Sequence, residues 1–135
     1  MQWAEKTPAL GDIVRTKVRF YHHYGIYVSD ERVIQCGMPD NTGTPNEQIC
    51  VLATDVRTFL NGGSLEVAVP DREERKTMRT AKESVALAES RLGQTGYDIL
   101  HNNCEHFVND CVFGAPTCGW LEEARAKLRA KLGKE

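Results

Sequence analysis

The stretch Asn103-Cys104-Glu105-His106-Phe107-Val108-Asn109 is the most informative part of this chain. Counted from Cys104, apolar side chains recur with the spacing of a half-buried helix, at Phe107, Val108, Cys111 and Val112. The sequence therefore predicts that Cys104 lies in the first turn of a helix and on its inward face. Free backbone N–H groups and the positive end of the helix dipole stabilise a thiolate there. This position predicts a lowered thiol pKa and a nucleophilic cysteine.

Length and composition predict one globular domain. The chain has 135 residues, of which 41% are hydrophobic and 27% charged. A net charge of -2 gives no reason to expect nucleic acid as a partner. No apolar run approaches the roughly 20 residues of a membrane span, and the first residues lack a secretory pattern. The 5 cysteines include no Cys-x-x-Cys pair, so a structural zinc site is not expected. Reduced thiols in a reducing compartment are predicted instead, which agrees with a cytoplasmic location. No metal and no cofactor are expected.

Hydrophobic patterning predicts an α+β fold. Segments rich in alternating, aromatic or β-branched residues predict strands at 13–16, 18–28, 32–36, 49–52 and 65–69. Helical spacing predicts a turn at 55–60 capped by Asp55, an amphipathic helix at 72–92 and a charged helix or frayed tail at 121–132. Turn-forming residues predict an exposed loop at 37–48.

The candidate base for the cysteine lies in the strand predicted at 18–28. Strand alternation places Tyr21, His23, Gly25 and Tyr27 on one face. The absence of a side chain at Gly25 leaves room for the helix that begins with Cys104. In that arrangement His23 is within reach of the sulfur and can act as its base.

Gln35 is the candidate residue for orienting the histidine. If Val28 pairs with Arg32 across a three-residue loop, Gly25 lies opposite Gln35. Gln35 then shares a face with His23 and can hold its imidazole in one tautomer. A two-residue loop would turn Gln35 to the other face, and the sequence does not settle the loop. Considered alone, each of the three candidate residues also fits an ordinary structural role: Cys104, His23 and Gln35.

The remaining histidines and cysteines carry weaker signals. His106 points away from the apolar stripe, which predicts a surface position, whereas His101 is close enough in sequence to line the site. Cys50 and Cys111 lie in apolar patterns and are predicted to belong to the core. About 10 Å of helix rise separates Cys111 from Cys104, which excludes a disulfide between them.

Four motifs of this chain resemble the lecithin:retinol acyltransferase-like family. They are Gly11-Asp12-Ile13-Val14, His23-Tyr24-Gly25-Ile26-Tyr27-Val28, Val33-Ile34-Gln35 and Asn103-Cys104-Glu105-His106-Phe107-Val108. That family belongs to the superfamily of NlpC-type cysteine hydrolases. Here the histidine precedes the cysteine, which resembles the circularly permuted branch. The resemblance implies a papain-related α+β fold in which a small antiparallel sheet packs against helices.

The resemblance also implies roles for individual residues. It implies that Cys104 forms a thioester with an acyl group, and that His23 is its base. Gln35 falls where the family places a third polar residue, often a second histidine. Tyr21 falls where relatives have a tyrosine that is suggested to stabilise the oxyanion. On this basis we expect a catalytic domain at residues 1–120 and a charged C-terminal helix or tail at 121–135.

These expectations predict a thiol-dependent acyltransferase or acyl hydrolase acting on esters or amides, with an acyl-bearing small molecule or lipid as its partner. Animal members commonly carry an apolar C-terminal anchor, whereas the basic residues of 121–132 allow at most peripheral membrane contact. Two alternatives stay open: a cysteine amidase or peptidase of the NlpC type, and a non-catalytic binding domain on the same fold. A long apolar groove beside Cys104 favours a lipid substrate, and a polar cleft of peptide width favours a peptide.

Overall fold

The computed structural model describes residues 1–18, 21–37, 49–95 and 104–113. Within these residues one antiparallel sheet has the strand order β1-β6-β2-β3-β4-β5, which confirms the α+β class. Its strands are β1 (Gln2–Ala4), β2 (Ile13–Val18), β3 (Tyr21–Ser29), β4 (Arg32–Gly37), β5 (Cys50–Thr54) and β6 (Glu66–Val69). The helices are α1 (Val56–Leu60), α2 (Arg72–Arg75), α3 (Ala81–Ser90) and α4 (Cys104–Val112).

Each face of the sheet covers a separate apolar layer. The first layer lies against α3 and α4, and its sheet residues include Ile13, Ile26 and Ile34. The second layer is smaller and joins Val14, Val33 and Val67 to Phe59 of α1. Strand alternation separates these two sets of side chains. Among the described residues, the sheet therefore carries a large helical layer on one side and one short helix on the other.

Helix α4 is held in the larger layer by its apolar stripe. The four stripe residues are at most 1% exposed, as the sequence predicts: Phe107, Val108, Cys111 and Val112. At the other end of α4, the guanidinium of Arg79 donates to the carbonyl oxygens of Asp110 and Cys111 at 2.7 and 3.0 Å. Arg91 forms an ion pair with Asp110. Arg79 thus satisfies carbonyls that a helix end leaves without partners, and both cations hold the end of α4 that is opposite to Cys104.

The β3–β4 hairpin reaches the predicted register by an unpredicted route. Ser29 pairs with Arg32, so the loop has two residues and not the three of the Val28–Arg32 pairing that was considered from the sequence. The register shifts between Tyr27 and Ser29, where Val28 forms a β-bulge. The bulge adds one residue to β3 and offsets the shorter loop. Gly25 therefore lies opposite Gln35, as predicted from the longer loop.

The other elements have the predicted type more often than they have the predicted first and last residues. Strands β5 and β6 and the capped turn of α1 are present, with the side chain of Asp55 accepting from the backbone N–H of Thr58. The single helix predicted at 72–92 is wrong. Its residues form α2 and α3, because a capping box between Thr80 and Glu83 starts a new helix. The sequence also failed to predict β1, and Val18 belongs to β2 instead of β3. Of the loop predicted at 37–48, Gly37 belongs to β4 and the rest lies outside the described residues, as does the tail at 121–132.

Candidate active site

Cys104 is the first residue of α4, and its side chain packs against the larger apolar layer. This confirms its predicted place in the first turn and on the inward face. Its sulfur accepts a hydrogen bond from the backbone N–H of Tyr24 at 3.5 Å. A residue from late in the chain thus meets the strand that carries His23.

The sulfur occupies a gap where β3 and β4 separate. Tyr27 donates its N–H to Asp12 on the β2 side at 2.9 Å, so strand alternation directs the Tyr24 N–H toward β4. The pairing of β3 with β4 begins only at Gly25 and Gln35. Tyr24 therefore does not pair with Cys36, the next residue of β4, and donates to the Cys104 sulfur instead. This places the sulfur at the end of the ladder, between the two faces of the sheet.

His23 is adjacent to this point but lies on the opposite face from α4. Peptide geometry places the Cys104 sulfur within about 6 Å of the His23 Cα, because the Tyr24 nitrogen is bonded to the His23 carbonyl carbon. Within the described residues no hydrogen bond joins the sulfur to the imidazole ring. The structure thus brings the two residues to the same end of β3 from opposite sides of the sheet.

The imidazole of His23 is held by Gln35. Its Nε2 contacts the side-chain oxygen of Gln35, and the Gln35 amide donates to Oγ1 of Thr54 at 2.7 Å. Because the amide oxygen can only accept, this arrangement requires a proton on Nε2. Nδ1, the ring nitrogen nearer the backbone, then keeps its lone pair.

Phe59 covers the histidine and fills the space above Gly25. Its ring stacks on His23 with centroids 5.1 Å apart and an interplanar angle of 30°. A Cβ at Gly25 would lie 2.9 Å from the Phe59 ring and 2.7 Å from Val33. The prediction that the Cys104 helix fills this space is therefore wrong. The apolar stripe of α4 packs on the face of Ile26, and the short helix α1 covers the Gly25 face with Phe59.

Sequence reasoning missed Phe59 as a site residue. The available signal was that Phe59 is the one aromatic residue in the short turn capped by Asp55. A glycine in the preceding hairpin also marked a site of close approach.

Burial shifts both ionisable groups toward their neutral forms. It lowers the pKa of His23, and the Gln35 contact opposes this effect. It raises the pKa of the Cys104 thiol, while hydrogen bonds from the backbone N–H groups of Tyr24, Cys104 and Glu105 act in the other direction. The predicted lowering of the thiol pKa is thus wrong in its net direction, because burial outweighs the helix terminus. A neutral thiol beside a neutral imidazole is the resting state that follows.

Thr16 lies next to His23 and was also missed from the sequence. The two residues pair directly across β2 and β3, and Thr16 is fully buried. Its hydroxyl is without a hydrogen-bond partner in the described part of the chain. The backbone of Gly63 covers it closely, since a Cβ there would lie 2.4 Å from the hydroxyl oxygen. A buried polar atom of this kind is costly and rare in native proteins.

A cavity of about 550 Å³ lies on the α4 side of the sheet and is bordered by Tyr24. Its walls are mixed, with apolar groups from Trp3, Ile13 and Phe113 beside the polar side chains of Glu105 and Asn109. Arg15 stacks on Trp3 at 4.1 Å and pairs with Glu66 at 2.8 Å. The cavity is therefore neither the long apolar groove that favours a lipid substrate nor the polar cleft that favours a peptide.

The remaining predicted residues fall in different places. Tyr21 lies in β3 and pairs with Val18 through the backbone, but its side chain is outside the described part, as are His101 and Cys118. His106 is exposed, as predicted, while Cys50 is only half buried although a core position was predicted. Across the described ranges no three His, Cys, Asp or Glu residues are grouped to hold a metal ion. In the same residues no helix is long and apolar enough to cross a membrane.

Comparison with known proteins decides the family. The model of the lecithin retinol acyltransferase family matches residues 6–117. The chain belongs to this family. Lecithin retinol acyltransferase of Rattus norvegicus is 32% identical to it, over 78% of this chain and 54% of the relative, and that of Bos taurus is 30% identical over 78% and 55%. Phospholipase A and acyltransferase 3 of Mus musculus is 29% identical, over 87% of this chain and 78% of the relative.

The family predicted from the sequence motifs is thereby confirmed. The chain spans about half the length of the lecithin retinol acyltransferases it matches. Their full activity therefore remains a matter of proposal for this chain.

Proposed function

We propose that this protein is a cysteine-dependent acyltransferase or acyl hydrolase that acts on lipid-type esters or amides. The observation that carries the proposal is the Cys104 sulfur at the Tyr24 amide, one residue from His23. The names of the relatives, lecithin retinol acyltransferase and phospholipase A and acyltransferase, support lipid chemistry. Among the three classes considered from the sequence, they favour this one over a peptidase or a binding domain.

The proposal includes a permuted papain-like architecture within a catalytic domain of residues 1–120. It is supported by a helix that presents a cysteine at its first residue, packed on an antiparallel sheet whose β3 carries the histidine. The order His23 before Cys104 is the order of the permuted branch. A cytoplasmic location and peripheral membrane contact stay predictions from the sequence.

In the proposed reaction the proton moves before the carbon–sulfur bond forms. His23 Nδ1 takes the proton of the Cys104 thiol, and the thiolate attacks the substrate carbonyl. Backbone N–H groups at the start of α4 stabilise the oxyanion, with a contribution from the Tyr21 hydroxyl. The tetrahedral intermediate collapses to a thioester, and the imidazolium gives its proton to the leaving alcohol or amine. Water, an alcohol or an amine then attacks the thioester, which releases the free thiol.

Gln35 and Phe59 prepare His23 for this role. The Gln35 oxygen at Nε2 fixes the tautomer whose lone pair is on Nδ1. The stacked Phe59 ring keeps water from the imidazole and limits its rotation. Because burial favours the neutral form of both groups, His23 takes the thiol proton only when the reaction begins, and no stored thiolate is needed.

The proposal is tested by intact-mass analysis of the reduced protein after incubation with phosphatidylcholine vesicles. We expect an acyl adduct that peptide mapping assigns to Cys104. The Cys104→Ala variant should carry no adduct. Cys50→Ala is the matched control, because Cys50 is a half-buried thiol in β5.

Other outcomes identify the alternatives. An adduct on Cys104 formed only from peptide amides supports an NlpC-type amidase. A folded protein that stays unmodified by lipids, thioesters and peptides supports the non-catalytic domain. Acylation of a different residue in the wild type and in Cys104→Ala removes Cys104 from its assigned role.

A further inference from the structure

Cys36 is a second thiol beside the proposed nucleophile. It is 3% exposed and belongs to the same apolar layer against which Cys104 packs. In the β3–β4 register Cys36 is the residue that would face Tyr24, one step past the last recorded pair, Gly25 and Gln35. The Tyr24 N–H donates to the Cys104 sulfur instead of to a strand partner. The sulfur therefore lies against the gap that Cys36 borders.

The other cysteines of the described part are placed less favourably. Cys50 pairs with Gly37 and alternates with Val51, so its side chain lies on the opposite face from the layer of Cys36 and Cys104. Cys111 is in the same layer, but two helical turns, roughly 10 Å, separate it from Cys104. That distance exceeds what a disulfide spans. Electrostatic coupling to Cys104 is also the largest contribution of a neighbouring group to the raised pKa of Cys36, after burial.

We infer that Cys36 is a resolving cysteine, which captures oxidised Cys104 as a Cys36–Cys104 disulfide and so protects the nucleophile reversibly from peroxides. This inference rests on the proposed function, because it takes Cys104 as the reactive thiol. The Cys104 sulfur attacks the peroxide oxygen, the O–O bond breaks, and the products are a sulfenic acid and water or an alcohol. The Cys36 sulfur then displaces the hydroxyl group, which leaves as water with the Cys36 proton. A thiol reductant restores both thiols.

The disulfide would block acyl transfer without damage to the site. It joins the sulfur that forms the thioester to the neighbouring strand, so the nucleophile is absent until reduction. Without a resolving thiol, a sulfenic acid at Cys104 proceeds to the sulfinic acid, which thiol reductants do not reverse. Cys36 is buried and Cys104 is partly buried, and burial raises the pKa of both thiols, so the reaction is expected to be faster at about pH 8.5 than at neutral pH.

The test is a peroxide titration of the full chain at about pH 8.5, followed by non-reducing peptide mapping. For the wild type we expect a loss of about 2 Da and a linked peptide pair that contains Cys36 and Cys104. Cys36→Ser should instead gain about 32 Da at Cys104, the mass of a sulfinic acid. The matched control Cys50→Ser should form the same disulfide as the wild type.

Recovery of activity gives a second readout. After peroxide and then dithiothreitol, acyl labelling of Cys104 should return in the wild type and in Cys50→Ser, but not in Cys36→Ser. Circular dichroism of reduced Cys36→Ser establishes that it is folded, and Cys36→Ala replaces it if it is not.

The inference is overturned if wild-type Cys104 becomes sulfinic directly, or if it links to any cysteine other than Cys36. Acyl labelling of the reduced wild type is measured in parallel. Labelling at Cys104 without the disulfide leaves the proposed function standing and removes only the resolving role of Cys36. A Cys36–Cys104 disulfide without acyl labelling removes the proposed function and leaves the resolving role of Cys36 standing.

Discussion

The side-chain oxygen of Gln35 contacts Nε2 of His23, and the same amide donates to Thr54 at 2.7 Å. The side chain of Gln35, which belongs to β4, thus connects β3 to β5. Gln35 is 5% exposed, so neither hydrogen bond competes strongly with water. In the proposed mechanism this amide orients the imidazole of His23.

Replacing Gln35 tests that orienting role. In Gln35→Leu the volume is roughly kept but Nε2 loses its acceptor, and we expect Cys104 acylation to slow about tenfold or more. Gln35→His restores a hydrogen-bonding partner and should recover most of the rate. The measurement is the rate of Cys104 labelling by an acyl probe as a function of pH. A Leu variant with the wild-type rate and pH profile would mean that Gln35 has only a packing role.

The stability of the fold is expected to fall as the pH decreases below about 6.5, the ordinary pKa of histidine. Burial lowers the pKa of His23 in the folded state, so below that pH the unfolded chain binds more protons. The contribution is fully present above the unfolded pKa and is lost as the pH falls through the folded pKa. Urea unfolding at several pH values should show this loss in the wild type. His23→Gln should flatten the curve between about pH 7 and 5; parallel curves for the two proteins would contradict the assignment.

Phe59 is expected to be essential for stability because it packs on both His23 and Gly25. Phe59→Ala leaves a cavity between α1 and the sheet and should lower the free energy of unfolding by about 3–5 kcal/mol. Phe59→Leu keeps much of the contact and should cost less. Urea denaturation measures both, with Leu92→Ala as a control that should stay within about 0.5 kcal/mol, since Leu92 is 40% exposed. A loss below about 1 kcal/mol for Phe59→Ala would show that α1 does not close this face.

We expect the Thr16→Val variant to be more stable than the wild type. Its buried hydroxyl lacks a partner in the described structure, so Thr16→Val removes a polar atom without changing the shape. We expect a gain of about 1 kcal/mol in the free energy of unfolding. The control is Thr77→Val, which loses a hydroxyl that bonds the Glu74 carbonyl at 3.1 Å and is expected to give no gain. Destabilisation by Thr16→Val would indicate that a water or another group satisfies the hydroxyl.

The helix of Cys104 could be predicted from the sequence because its signal is local. The stripe from Cys104 to Val112 needs no knowledge of the rest of the chain, and the class of the fold follows from similar local patterns. The hairpin was less certain. The register of Gly25 and Gln35 was predicted through a three-residue loop, whereas the structure combines a two-residue loop with a bulge at Val28. Nothing in the residue type of Val28 marks a bulge.

The features that the sequence did not predict depend on long-range packing. Strand β1 pairs with β6 across most of the described chain, and its three residues carry no period of their own. Helix α4 packs on one face of β3, and the choice of that face depended on the relative size of the two apolar layers. The pKa of Cys104 depended on burial, which the helix-terminus argument did not include. Each of these features results from the contacts of many residues, and a short sequence motif does not include those contacts.

The sulfur of Cys104 also completes the hydrogen bonding of a strand, since it is the acceptor for the Tyr24 N–H. A thioester sulfur is a much poorer acceptor than a thiol or thiolate, so each round of acylation should leave that backbone proton without its bond. The amide resonance of Tyr24 should then shift, and its deuterium exchange should accelerate, only while the acyl group is attached. A single backbone proton would thus report the occupancy of the nucleophile in real time, without any label on the substrate.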